Sequence, residues 1–150
     1  MSVFDPDTFL NTETTDANAT QTVPIPEGDY SAVIEEVKPD TIGQDDKPVL
    51  RVKWLINDED GSVQAATGRE TSRVEQLLFL DLTESGGLDM GEGRNVQLGR
   101  LRKALGQNKA GQPWAPGYMV GQVARISVGH QPDRENPEVK YERVKRVDAA

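Results

Sequence analysis

Basic and aromatic residues gather where the chain alternates in steps of two. Arg51, Lys53 and Trp54 fall in one such stretch, Arg125 in a second, and Lys140, Tyr141, Arg143, Lys145 and Arg146 in a third. Successive side chains of a strand point to opposite faces. Arg51 and Lys53 therefore share one face of their strand, and Tyr141, Arg143 and Lys145 share one face of theirs. A positive groove that follows a phosphate backbone, with rings on which bases stack, holds single-stranded nucleic acid without reading its sequence. Trp54 alternates with Leu50, Val52 and Ile56 and is assigned to the core. Tyr141 and Trp114 are then the stacking candidates. Trp114 lies among Gly111, Pro113, Pro116 and Gly117, in a loop where an exposed ring needs a reason.

Residues suited to covalent or acid–base chemistry are scarce. The absence of cysteine excludes a disulfide framework, a thiolate zinc site and a thiol nucleophile. His130, the one histidine, stands between Gly129 and Gln131-Pro132 and reads as a solvated turn residue, not a general base. No serine lies in a Gly-x-Ser-x-Gly setting. Asp58-Glu59-Asp60-Gly61 suggests calcium, but with Gly61 in sixth place the first and twelfth positions are Ile56 and Thr67, which supply no carboxylate. It reads as a turn. Asp45-Asp46 and the pair Asp5 and Asp7 read as solvated loop acids. Gly91-Glu92-Gly93 fails as a dinucleotide fingerprint because the third glycine would fall on Val96, and no Gly-Lys-Ser/Thr follows. The expectation is a binding protein with no catalytic residue, no metal and no cofactor.

Net charge is −8 over 150 residues, which opposes phosphate binding. The distribution answers that objection. Residues 1–93 hold 6 Lys/Arg against 20 Asp/Glu, whereas residues 94–150 hold 11 against 5.

A chain of this length suits one domain. Strands are expected at about Asp29 to Val37, ending at Lys38-Pro39-Asp40, at about Val49 to Asn57, and at about Thr71 to Leu82. Tyr30, Ala32 and Ile34 face the core from the first strand, and Val74, Leu78, Leu80 and Leu82 from the third. Leu77 and Phe79 make the third strand apolar on its other face too, as in a strand covered on both sides. From Arg94 to Leu105 the period changes to that of a helix, with Leu98, Leu101 and Leu105 on one face, the basic residues on others and Gly106 as the stop. Two further strands follow at about Val120 to Gly129 and Val139 to Val147. The order β-β-β-α-β-β is that of the five-stranded oligonucleotide/oligosaccharide-binding (OB) barrel. The expected fold is mainly β, an OB-like barrel over residues 29–150 with one helix, preceded by a polar N-terminal arm over residues 1–28. Phe4, Phe9 and Leu10 are apolar points on that arm. No signal-peptide pattern or membrane-length apolar run occurs, so a soluble, unexported protein is expected, and the Asn18-Ala19-Thr20 sequon then has no meaning.

Phe4-Asp5-Pro6, Pro26-Glu27-Gly28-Asp29-Tyr30, Leu98-Gly99-Arg100-Leu101-Arg102-Lys103-Ala104-Leu105-Gly106 and Gly121-Gln122-Val123-Ala124-Arg125-Ile126 resemble the punctuation of a family of small bacteriophage proteins. The resemblance covers most of the chain. It implies an OB-type single-stranded DNA-binding protein that works with phage replication or recombination proteins in the host cytoplasm. The C-terminus lacks the acidic tail by which many such proteins recruit partners, which leaves the acidic N-terminal half for that role. The alternative expectation is a virion component, a capsid decoration or cement protein. There Phe4, Phe9 and Leu10 would anchor in a neighbouring subunit's groove, with self-association also open.

Overall fold

A computed structural model describes residues 3–150. A short helix, α1 (Pro6–Leu10), lies within the arm, capped by Asp5. Strand β1 (Gly28–Ile42) turns back into β2 (Lys47–Ile56) through a bend where Gly43 and Asp46 take left-handed backbone conformations. Helix α2 (Ser62–Thr67) leads on to β3 (Arg73–Phe79), which pairs with the far side of β2. Strand β4 (Val123–Pro132) pairs with the other side of β1 over Gly28–Val33, and β5 (Lys140–Ala149) closes the series. The spatial order is β3-β2-β1-β4-β5, with every neighbouring pair antiparallel. The fold is thus mainly β, built on one five-stranded sheet. No ladder joins β3 to β5, so the sheet stays open.

One face of this sheet carries the core. Ala32 and Ile34 of β1, Leu50, Val52, Trp54 and Ile56 of β2, Val74 and Leu78 of β3, and Ala124, Ile126 and Val128 of β4 are buried together. Each aliphatic side chain removed from water contributes about 1.5–3 kcal/mol. The alternation of β2 therefore determines which way the sheet faces. Trp54 is fully buried, and its indole Nε1 donates to Gln76 Oε1 at 2.9 Å, which satisfies the one polar atom it takes inside. Tyr30 is half-buried and donates its hydroxyl to the Pro26 carbonyl.

Helical segments close the open side. In α3 (Val96–Ala104), Leu98 and Leu101 pack onto the core, and a 3-10 turn at Pro116–Met119 adds Met119. Asn95 sets where α3 begins. Its side chain donates to the carbonyls of Asp81 and Asp89 and accepts from the Asp81 N–H, while its backbone adopts the left-handed conformation that asparagine tolerates. Gly106 ends the helix with φ +72°, and the N–H groups of Gly106 and Gln107 return to the carbonyls of Lys103 and Arg102.

Several expectations need correction. Strand β1 runs past Pro39 to Ile42, because β4 pairs only with its first residues and the free far edge accommodates a residue without an N–H. Strand β3 is shorter than expected, and its outer face is only partly covered: Leu77 and Phe79 are 38% and 52% exposed. Leu82 lies beyond the strand and is exposed as well. The acidic run after β2 is a turn that also caps α2, a helix the sequence did not signal: Asp58 accepts from the N–H groups of Val63 and Gln64. Arg102 is buried, not on an outer face of its helix. The arm contains a helix as well, and it gives way to the domain before Gly28: residues 3–23 are exposed, but Ile25 is fully buried in the core.

Candidate nucleic-acid interface

Strand β2 does place Arg51 and Lys53 on its outer face; Lys53 lies in register with Glu36 of β1 and Glu75 of β3, whereas Arg51, opposite Lys38 and Leu77, reaches diagonally to acids on both neighbours. Arg51 donates from Nε to Asp40 at 2.7 Å and from Nη1 to Glu75 at 2.5 Å, and Lys53 meets Glu36 at 3.4 Å. The Arg51 hydrogen bond holds the Asp40 carboxyl below its usual range, as Arg73 does for Glu35. A guanidinium shared between two carboxylates has little charge left for a phosphate. The basic strip expected on β2 is a neutralised lattice.

The unneutralised charge lies elsewhere. Between the facing edges of β3 and β5 runs a groove of about 700 Å³, with α3 along one wall. Arg143 and Lys145 of β5, Arg100 of α3 and Arg134 of the β4–β5 turn line it and are exposed. Among the described residues no ion pair involves these four. Arg146 also lines the groove but pairs with Asp148 at 2.8 Å. The groove's acids are engaged outward, Glu75 with Arg51 and Glu142 with Arg69. Leu77 and Phe79 supply exposed apolar surface on the β3 side.

Local backbone geometry aims Lys145. The β4–β5 register slips between Ser127 and Val128, which leaves Lys145 as the extra residue of a bulge. Its aliphatic stem crosses Gly129, where a Cβ would collide with it. The glycine makes room for the lysine.

The remaining candidates do not join the groove. Tyr141 is exposed near the β4–β5 turn, and its hydroxyl donates to Asp133 at 3.1 Å. That bond pushes the phenol above its ordinary value, while backbone N–H groups of Glu135 and Asn136, with Tyr141, hold Asp133 low. Lys140 precedes it, opposite Pro132. Arg125 is exposed on β4 between Ser31 and Asp148. Trp114 is half-buried and is not a free platform. The Arg102 guanidinium lies 4.0 Å from its ring centroid, and its Nε1 donates to Gln107 Oε1 at 2.9 Å. Arg102 also donates to the Gln107 carbonyl, and burial lowers its pKa. Sequence reasoning missed Arg100, Arg134 and Phe79 as groove residues. Arg100 was legible as the helix residue beside the Leu98/Leu101 stripe, but nothing in the sequence places it opposite β5.

His130 is not a solvated turn residue. It lies within β4, half-buried, with Nε2 2.6 Å from the Ile25 carbonyl. A carbonyl only accepts, so Nε2 carries the proton. Arg69 works beside it, donating to the Val23 carbonyl at 2.7 Å and to Glu142 at 2.6 Å. Together they fasten residues 23–25 to the sheet. Beyond that clasp Phe9 and Leu10 are exposed, and the rings of Phe4 and Phe9 meet at 5.5 Å between centroids.

Among the described residues no group of three or more His, Asp or Glu is placed to hold a metal, and no helix is long and apolar enough to cross a membrane. No protein-family model matches the chain, and no curated protein is similar to it.

Proposed function

We propose that this is a single-stranded DNA-binding protein of phage type, a binder and not an enzyme, acting in replication or recombination in the host cytoplasm. The observation that carries this reading is the β3–β5 groove: four cations without ionic partners among the described residues stand beside exposed Leu77 and Phe79, in a chain that neutralises its other basic strand face. Phosphates would track Arg143, Lys145, Arg100 and Arg134, and bases would lie against Phe79. Tyr141 extends the path at the turn end of β5. The strand order, with β3 and β5 facing each other at the two edges, supports an OB-like reading in which the unpaired seam is the ligand groove.

Labelled oligothymidine tests it. Affinity should fall linearly on a logarithmic salt axis, and Arg143→Ser with Lys145→Ser should flatten that slope by about 0.7 for each phosphate no longer neutralised. Arg51→Ser with Lys53→Ser should change affinity less than about twofold, since surface pairs already hold those charges. No binding at low salt, or an equal drop from both pairs of substitutions, would sink the reading. A second reading, a capsid decoration protein, is favoured by the exposed Phe9 and Leu10. It requires the protein to be present in purified particles.

A further inference from the structure

The arm and the groove are complementary in two respects. Residues 3–23 carry Asp5, Asp7, Glu13 and Asp16 and no lysine or arginine, while the groove presents Arg100, Arg134, Arg143 and Lys145. Phe9 and Leu10 are 63% and 79% exposed on the arm, and Leu77 and Phe79 are exposed in the groove. Exposed apolar side chains beside matching charge mark surfaces that meet a partner. From these features we infer that the arm helix of one molecule docks in the β3–β5 groove of a second copy of the same chain.

The arm does not fill its own groove in this structure. The arm is exposed through residue 22 and is then clasped to the sheet by Arg69 and His130. The connecting residues 11–22 can span about 40 Å when extended, against a radius of gyration of about 15 Å for a domain of this length. An arm that stands off its own domain with that reach can enter a neighbour's groove, and a two-fold exchange places each arm in the other molecule's groove. Phe9 and Leu10 would cover Leu77 and Phe79, and the arm's carboxylates would meet the groove's cations. The docked arm would occupy the surface proposed for DNA, so displacement by DNA rests on that reading, whereas the docking itself does not.

The test is sedimentation velocity of the full chain at low salt without DNA, over a concentration series. The wild type should form dimers that dissociate as salt rises. Phe9→Ser with Leu10→Ser should yield monomers, and so should Arg143→Glu with Lys145→Glu, each with an unchanged circular dichroism spectrum. Mixing the two variants should restore association, because one retains an intact arm and the other an intact groove. Oligothymidine should dissociate the wild-type dimer, and the arm variant should bind it several-fold more tightly. A wild type that stays monomeric overturns the inference, and monomers whose DNA affinity still rises on the arm substitutions would place the arm in its own groove. Mixed variants that stay apart also overturn it. Association without any DNA binding would defeat the proposed function and leave the docking standing.

Discussion

At the scale of single residues, the same side chain types have different standing according to what lies opposite. Arg51 is held between Asp40 and Glu75, whereas Arg143, two strands beyond β1 on the other side, faces Gly129 and has no carboxylate partner among the described residues. Of the two stacking rings expected from the sequence, Tyr141 stays exposed, and its hydrogen bond to Asp133 fixes where the ring stands. Tyr141→Phe should keep most of the oligothymidine affinity, because the face of the ring does the stacking, while Tyr141→Ala should weaken it about tenfold. Anisotropy titrations of the two variants check this, and equal weakening would mean that the hydroxyl and not the ring is what matters. The alternation of Tyr141 with Arg143 and Lys145 was legible in the sequence. Its partner Asp133 was not, because only the fold of the β4–β5 turn brings the two together.

Among elements, the outer face of β1, β2 and β3 is held largely by charge pairs, although Val49 is fully buried on it. Arg51 and Arg73 depress the carboxyls of Asp40 and Glu35, so these acids favour the folded state when ionised. A carboxyl whose pKa is lower folded than unfolded contributes stability that is fully present above its unfolded value and is lost as pH falls through the folded one. The urea midpoint should therefore be flat from pH 7 to about 5 and decline below about 4, by a modest amount because solvent screens these exposed pairs. Arg73→Met should shrink that acid-induced drop relative to the wild type, and an unchanged drop would show that other acids cause it. The helix between β3 and β4 and the alternation of β2 were readable from period alone. The continuation of β1 through Pro39 was not, since it depends on where β4 stops pairing.

For the whole molecule, the division between arm and domain is energetic and falls just before Ile25. Removing residues 1–22 deletes no buried side chain among the described residues, so the melting temperature should stay within about two degrees of the wild type, a shift no larger than that of a change of about 1 kcal/mol. Ile25→Ala should cost about 2–5 kcal/mol, because Ile25 is fully buried against the sheet. Thermal melts of the two proteins make the comparison, and a truncation as damaging as Ile25→Ala would show that the arm packs on its own domain.

The polarised charge, the five strands, the helix with Leu98 and Leu101 inward, and the arm all follow from local order along the chain: periodicity, turn residues and composition act over a few residues. Which basic residues remain available for a ligand does not. Arg51 and Lys53 look as free as Arg143 and Lys145 until register places Asp40, Glu36 and Glu75 beside them. The groove itself exists only because the edges of β3 and β5, separated in the chain by residues 80–139, face each other with α3 alongside. Neutralisation depends on distances of a few ångströms between residues distant in sequence. That is a property of the fold and is absent from any local pattern.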